Sequence, residues 1–291
     1  SAATRIEVVT EGILQRLLQD DPELPGVGVV IFDEFHERSL DADLGLALCV
    51  QTQQYLRDDP PLRLLVMSAT LDAEGVSRLL DDAPIITSQG RQYPVDIRYG
   101  APATPGRPND AEVVQTVLRA LDEESGSVLV FLPGMAEICR VLARLEEALG
   151  EQQNVLLTPL YGDLDLAAQR RAIEPAPAGQ RKIVLATAIA ETSLTIEGIR
   201  VVVDAGLSRE AAFDPLSGMS ALQTRRVSRA AAEQRAGRAG RLEPGVCYRL
   251  WSAQQHEQLA AQRDAEILQA DLAPLALQLA QWGVQQPDEL V

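Results

Sequence analysis

Short apolar runs, too continuous to be amphipathic helices, recur along this chain and alternate with segments whose apolar residues fall three and four apart. Residues 27–32, 64–67, 128–132, 183–186 and 199–203 read as buried strands. Residues 6–19, 41–56, 111–121 and 135–149 carry the helical period. Such alternation predicts an α/β chain, with parallel sheets covered by helices on both faces. Residues 101–110 hold three prolines and a glycine and read as a linker, about one third of the way along. Residues 265–284 read as one amphipathic helix. The first strand arrives only after a helix, as if a strand and loop were missing ahead of it, so the expectation is a piece of a longer α/β protein.

Composition narrows the classes. An apolar content of 46% supports a real core and excludes an intrinsically disordered chain. No apolar run approaches the roughly 20 residues needed to span a bilayer, so no membrane partner is expected. Cys49, Cys139 and Cys247 are too few and too scattered for a disulfide framework or a zinc site. A reducing cytoplasmic setting and no disulfide-linked partner are therefore expected. The formal net charge is −16, which argues against wholesale polyanion binding but leaves room for a local basic track. Lys182 is the sole lysine and is followed by Ile183. A phosphate-cradling P-loop, G-x-x-x-x-G-K-[ST], needs a lysine followed by a hydroxyl residue, so this chain contains none.

The strand at 27–32 runs directly into Asp33-Glu34, which places two carboxylates at the carboxyl edge of a parallel sheet, where open α/β folds bind ligands. One carboxylate there can hold Mg²⁺ through water while its neighbour activates a nucleophilic water. Taken alone, the pair reads equally as a strand-terminal turn with solvated acids. A second strand, at 64–67, runs into Ser68-Ala69-Thr70, two small hydroxyl residues suited to a relay between loops or to a helix N-cap. The order strand, Asp-Glu-Phe-His, helix, strand, Ser-Ala-Thr is much rarer than either piece.

Six arginines lie between positions 225 and 241 (Arg225, Arg226, Arg229, Arg235, Arg238 and Arg241), against one acid, Glu233. Three of them, at 235, 238 and 241, are spaced by three with small residues between, which predicts a slowly drifting stripe on one helix and a backbone open to close approach by a ligand. Guanidinium forks suit phosphate oxygens. A solvated charge run is the ordinary reading of a basic cluster, but Gly237 and Gly240 weaken a helix by about 1 kcal/mol each and argue against it. His256 sits in a polar segment and reads as exposed. Trp251 and Trp282 read as core or domain-contact anchors.

Together these residues resemble the DEAH-type branch of superfamily 2 helicases. Motif II is matched by Asp33-Glu34-Phe35-His36, motif III by Ser68-Ala69-Thr70 and motif VI by residues 234–241. Motif V is matched by residues 186–198, motif Ib by Thr10-Glu11-Gly12, and motif IV by residues 128–134. Tyr161-Gly162-Asp163-Leu164 with Gln169 matches the segment that follows. Phe35 before His36, with Glu37-Arg38-Ser39-Leu40 after it, looks most like the bacterial HrpB-type members.

The resemblance implies two RecA-like domains: the C-terminal part of a first in residues 1–93, a complete second in 94–262, and the start of a winged-helix domain in 263–291. It places ATP in the cleft between them and single-stranded or structured RNA, with DNA possible, across the top. By that match Asp33 coordinates Mg²⁺, Glu34 is the general base, and His36 couples motif II to the second domain. Gln234 positions water or the γ-phosphate, Arg238 and Arg241 bind the triphosphate, and Glu197 contacts the nucleotide. Thr10, Thr187, Thr192, Ser193 and Thr195 touch the nucleic acid, while Ser68 and Thr70 couple the two sites. Residues 209–229, with Asp214-Pro215-Leu216-Ser217-Gly218 inside, resemble the family's strand-separating hairpin. Two positions depart: Ala188 stands where the family usually has asparagine, and Ile173 where it often has an aromatic that stacks on adenine.

Two rival functions remain. One is a non-enzymatic nucleic-acid-binding or partner-docking module. The other is a metal-dependent hydrolase acting directly through Asp33 and Glu34, which predicts Mg²⁺-dependent strand cleavage without nucleotide.

Overall fold

The computed structural model describes residues 4–57, 59–69, 73–88, 90, 93–104, 106, 108–150, 154–191 and 195–290. The chain forms two compact units, one of Ser1–Ser88, Ala212–Ala221 and Asp264–Val291, the other of Gln89–Ala211 and Leu222–Arg263.

The first unit opens with α1 (Glu11–Asp20), β1 (Val29–Phe32), α2 (Leu40–Gln51), β2 (Arg63–Val66) and α3 (Ala73–Leu79). The expected helix from residue 6 begins only at Glu11, because Thr10 is extended, with φ −79° and ψ 161°, and Ile6 and Val8 stay in solvent. β1 and β2 pair in parallel, Val30 opposite Leu64. Val30 and Phe32 pack with Leu18 of α1 and Leu44 and Leu48 of α2. The other face of this small sheet carries Val29, Ile31, Leu65 and Met67, each 39–51% exposed.

In the second unit β3 (Val95–Tyr99), α4 (Asp110–Glu123), β4 (Ser127–Phe131), α5 (Met135–Leu149), β5 (Val155–Leu160), α6 (Leu166–Ile173), β6 (Arg181–Ala186) and β7 (Ile199–Asp204) follow in order. Then come β8 (Leu207–Asp214) and β9 (Met219–Arg226), whose joined ends Ala212–Ala221 count with the first unit, followed by α7 (Arg229–Gly237), β10 (Gly245–Arg249) and α8 (Ala253–Glu257). The sheet order is β3-β10-β7-β4-β6-β5, with parallel pairing throughout. Side chains of successive strand residues point to opposite faces, and the core divides accordingly. Val128 and Val130 join Val113, Val117, Ile138 and Val141 of α4 and α5 on one side. Leu129 and Phe131 join Ala172 of α6 and Ala236 of α7 on the other.

The region 209–229 does hold a hairpin: β8 and β9 pair as their own two-stranded sheet. Its turn is held by Asp214, whose carboxylate accepts from the Leu216 N–H at 3.0 Å and the Ser217 hydroxyl at 2.8 Å.

The last segment differs from the single helix expected. A 3₁₀ turn, Glu266–Leu268, precedes α9 (Ala273–Trp282). Pro274 explains the break: lacking an N–H, proline is tolerated in the first helical turn but not in a helix interior, so one helix does not run from 265 through it. Leu279 of α9 enters the first unit's core, and the Trp282 indole N–H donates to Gln51 at 2.8 Å. Trp251 is likewise an anchor, 3% exposed among Val227, Ala232 and Leu259. His256 is not simply exposed: its ring lies 6.3 Å from that of Trp251 and 5.6 Å from that of Tyr99, beside the Arg249 guanidinium.

Candidate functional site

In the first unit, β1 delivers Asp33 into solvent at its carboxyl end. Glu34 follows in the left-handed region, with φ 52° and ψ 32°. A non-glycine residue there costs on the order of 1–3 kcal/mol, and such strain persists where the surroundings over-determine it. Here the Glu34 N–H donates to Asp33 Oδ1 at 2.9 Å, and the Phe35 N–H donates to the Met67 carbonyl at 3.1 Å. These bonds fold the motif into a 3₁₀ turn, Phe35–Glu37, against the loop after β2. His36, its side chain 8% exposed, has Nδ1 3.5 Å from Glu34 Oε2 and accepts from the Ala69 N–H at 3.4 Å. The imidazole thereby sits beside the Glu34 carboxylate and is hydrogen-bonded to the Ser68-Ala69 loop. Thr70 lies outside the described residues. Thr10 is exposed at the start of α1 and spends no side-chain bond on capping it.

In the second unit, Thr187 follows β6 half-buried, and a 3₁₀ turn, Ala188–Ala190, leads to Glu191. Thr192 and Ser193 lie outside the described residues; Thr195 and Glu197 are exposed. Opposite this stretch runs α7, capped by Ser228, whose hydroxyl accepts from the Ala231 N–H at 3.2 Å.

The arginines do not form the stripe that their spacing predicts. α7 ends at Gly237, so Arg235 is helical, Arg238 is the cap, and Arg241 lies in the turn beyond. Their environments differ sharply: Arg235 is fully buried, Arg238 is 9% exposed, and Arg241 is exposed. Arg238 donates through Nη2 to the Glu191 carbonyl, and Arg241 donates through Nη1 to the Thr195 hydroxyl. Gln234 is half-buried on the same helix. Gly240 does not leave room for a ligand; a Cβ there would meet the Tyr93 carbonyl oxygen at 2.6 Å, so the glycine admits the strand that leads into β3.

Arg235 reaches two acids that the sequence did not single out. Its Nε donates to Glu191 Oε1 at 2.6 Å and its Nη1 to Asp204 Oδ1 at 2.8 Å. Burial alone lowers the guanidinium's pKa, but Glu191 and Asp204 more than offset this and hold it above its ordinary value. Asp204 had one sequence signal: like Asp33 it ends an apolar strand. Lys182 has no phosphate role here. It is 4% exposed and donates to the Arg171 carbonyl at 2.6 Å and to the Glu174 carbonyl, closing the C-terminal end of α6.

A parallel sheet with an arginine-rich helix end facing a hydroxyl-bearing loop frames the second unit, and an acid pair ends one strand of the first. The second unit is a RecA-like helicase C-terminal domain, and residues 111–243 match the helicase conserved C-terminal domain family. The chain is 56% identical over 287 residues to ATP-dependent RNA helicase HrpB of Escherichia coli K12, which covers 99% of this chain and 35% of that protein. It is 41% identical over 294 residues to the pre-mRNA-splicing factor ATP-dependent RNA helicase prp22 of Schizosaccharomyces pombe, covering 98% of this chain and 24% of that one. Two crystal structures of E. coli HrpB superpose with TM-scores of 0.87 and 0.91 at 55% identity, over 99% of this chain and 35% and 36% of theirs. The chain thus spans about a quarter to a third of the length of these curated relatives.

Proposed function

We propose that this chain is part of an ATP-dependent RNA helicase that couples ATP hydrolysis to movement along, or unwinding of, RNA. The observation that carries this reading is the contact of Arg238 and Arg241 with Glu191 and Thr195: the arginines suited to phosphate touch the loop suited to nucleic acid. Bound ATP with Mg²⁺ supplies the phosphoanhydride whose hydrolysis drives the cycle. Asp33 fits Mg²⁺, being exposed with one carboxylate oxygen turned back to the Glu34 N–H and the other open among the described residues. Glu34 takes the proton of the attacking water on a carboxylate oxygen, and Gln234 orients that water. Arg238 and Arg241 neutralise developing phosphate charge, an effect worth roughly 10³–10⁵ in rate, and Glu197 contacts the nucleotide. Ser68 and Thr70 relay between sites, and His36 links Glu34 to that relay. Thr10, Thr187, Thr192, Ser193 and Thr195 meet the sugar-phosphate backbone, which makes binding sequence-tolerant, salt-sensitive and open to DNA as well as RNA. The site of action is the cytoplasm. Residues 1–93 and 94–262 contribute the two RecA-like domains, and 263–291 begin a winged-helix domain.

The test uses the product of the complete reading frame. Glu34→Gln and Arg238→Ala should each abolish RNA-stimulated ATPase while RNA binding in low salt persists. Normal turnover in either variant would overturn the role assignments. RNA binding by a wild-type protein that never turns over ATP would favour the binding-module reading instead.

A further inference from the structure

Arg235 is fully buried, yet it carries a charge. Its guanidinium holds Glu191 at 2.6 Å and Asp204 at 2.8 Å, donates to the Leu207 carbonyl at 3.2 Å, and lies 4.9 Å from the Phe131 ring centroid. One side chain therefore ties together the end of β4, the loop after β6, the end of β7 and the start of β8. Asp204 is itself fully buried and also accepts from the Gly206 N–H at 2.8 Å. Removing one cation and its acids from water is costly, and well-packed apolar side chains would hold a core at least as well. What the ions add here is a fixed geometry.

That geometry bears on one residue in particular. Glu191 is gripped twice: its carboxylate by Arg235, and its backbone carbonyl by the Arg238 guanidinium. Arg238 is also tied to Arg235 by one backbone bond, its N–H donating to the Arg235 carbonyl at 3.1 Å. We propose that Arg235 and Glu191 are a positioning pair that sets where the Arg238 guanidinium stands, and so govern turnover without touching nucleotide. The proposal rests on the reading of Arg238 as a phosphate-binding arginine.

Glu191→Gln is the gentler probe, since the Glu191 side chain is 16% exposed and glutamine keeps its shape and a carbonyl acceptor. In the product of the complete reading frame, Glu191→Gln should lower the kcat of RNA-stimulated ATPase about tenfold, as small misplacements of a reacting group do. The KM for ATP should stay within about threefold and unfolding should remain cooperative, at a melting temperature lowered by the loss of one charged partner of buried Arg235. A cycle with Arg238→Lys separates positioning from general damage. In the Arg238→Lys background, Glu191→Gln should cost little more, because the residue it acts through is already altered. An unchanged kcat in Glu191→Gln, or the same tenfold loss in both backgrounds, overturns the proposal. If Glu191→Gln does not melt cooperatively, Arg235→Lys, which keeps a buried cation, goes through the same cycle, and the same two results overturn the proposal there. A wild-type protein without ATPase would instead overturn the functional reading on which the pair depends.

Discussion

Three arginines at equal spacing meet three fates, and the difference lies in what each guanidinium reaches. Arg235 finds two acids inside the core, Arg238 a backbone carbonyl near its surface, and Arg241 a hydroxyl in solvent. His256 shows the same dependence on neighbours. Burial first, and then the adjacent Arg249 guanidinium, hold its imidazole below the ordinary value of 6.5. Between that lowered value and 6.5 the unfolded chain binds more protons than the folded one. The stability that His256 contributes is therefore complete above 6.5 and is lost as pH falls through its folded value. Thermal melts from about pH 7.5 to about pH 5 should show wild type losing more melting temperature than His256→Gln. Equal losses would remove His256 from the acid response.

Among the elements, strongly apolar strands declared themselves and mixed ones did not. β4, β6 and β7 stand within two residues of their expected bounds, because each is itself buried along nearly its whole length and carries an unbroken apolar run. β3, β5 and β10 carry Asp96, Arg98, Pro159, Gly245 and Arg249, which blur the pattern. β3 and β5 are the two edges of the sheet, where polar residues and proline are tolerated. β10 is interior, and Arg249 survives there because it is bonded to the Tyr99 hydroxyl at 2.9 Å and to the Ala232 carbonyl at 3.3 Å. The turn between α7 and β10 gives a sharp test of packing. Gly240→Ala would drive a Cβ into the Tyr93 carbonyl and within 2.7 Å of Val95 Cγ2. A loss of about 1–3 kcal/mol by denaturant unfolding is expected; a loss under about 0.5 kcal/mol would mean that this turn yields easily. Of the candidate site, the motif residues were legible because their types and order are set by chemistry. Glu191 and Asp204 were not singled out, since nothing local distinguishes a buried ion partner from a solvated acid.

For the molecule as a whole, the charge balance and the lone lysine now have places. A net charge of −16 coexists with a local cluster of arginines, of which Arg235, Arg238 and Arg241 are gathered at one helix end beside the loop after β6. Lys182 closes α6, so the chain holds no P-loop lysine to cradle a triphosphate. A polypeptide of these 291 residues alone should accordingly show no ATP turnover above its own Glu34→Gln control; measurable excess activity would contradict this. The sequence by itself determined the α/β alternation, the order of the motifs and the lack of a P-loop within this chain, because periodicity and motif spacing are local properties. Only the tertiary structure decided which arginine faces inward. The Arg235 partners lie 44 and 31 positions away in the chain, and burial of a charge depends on whether the fold brings those acids to it.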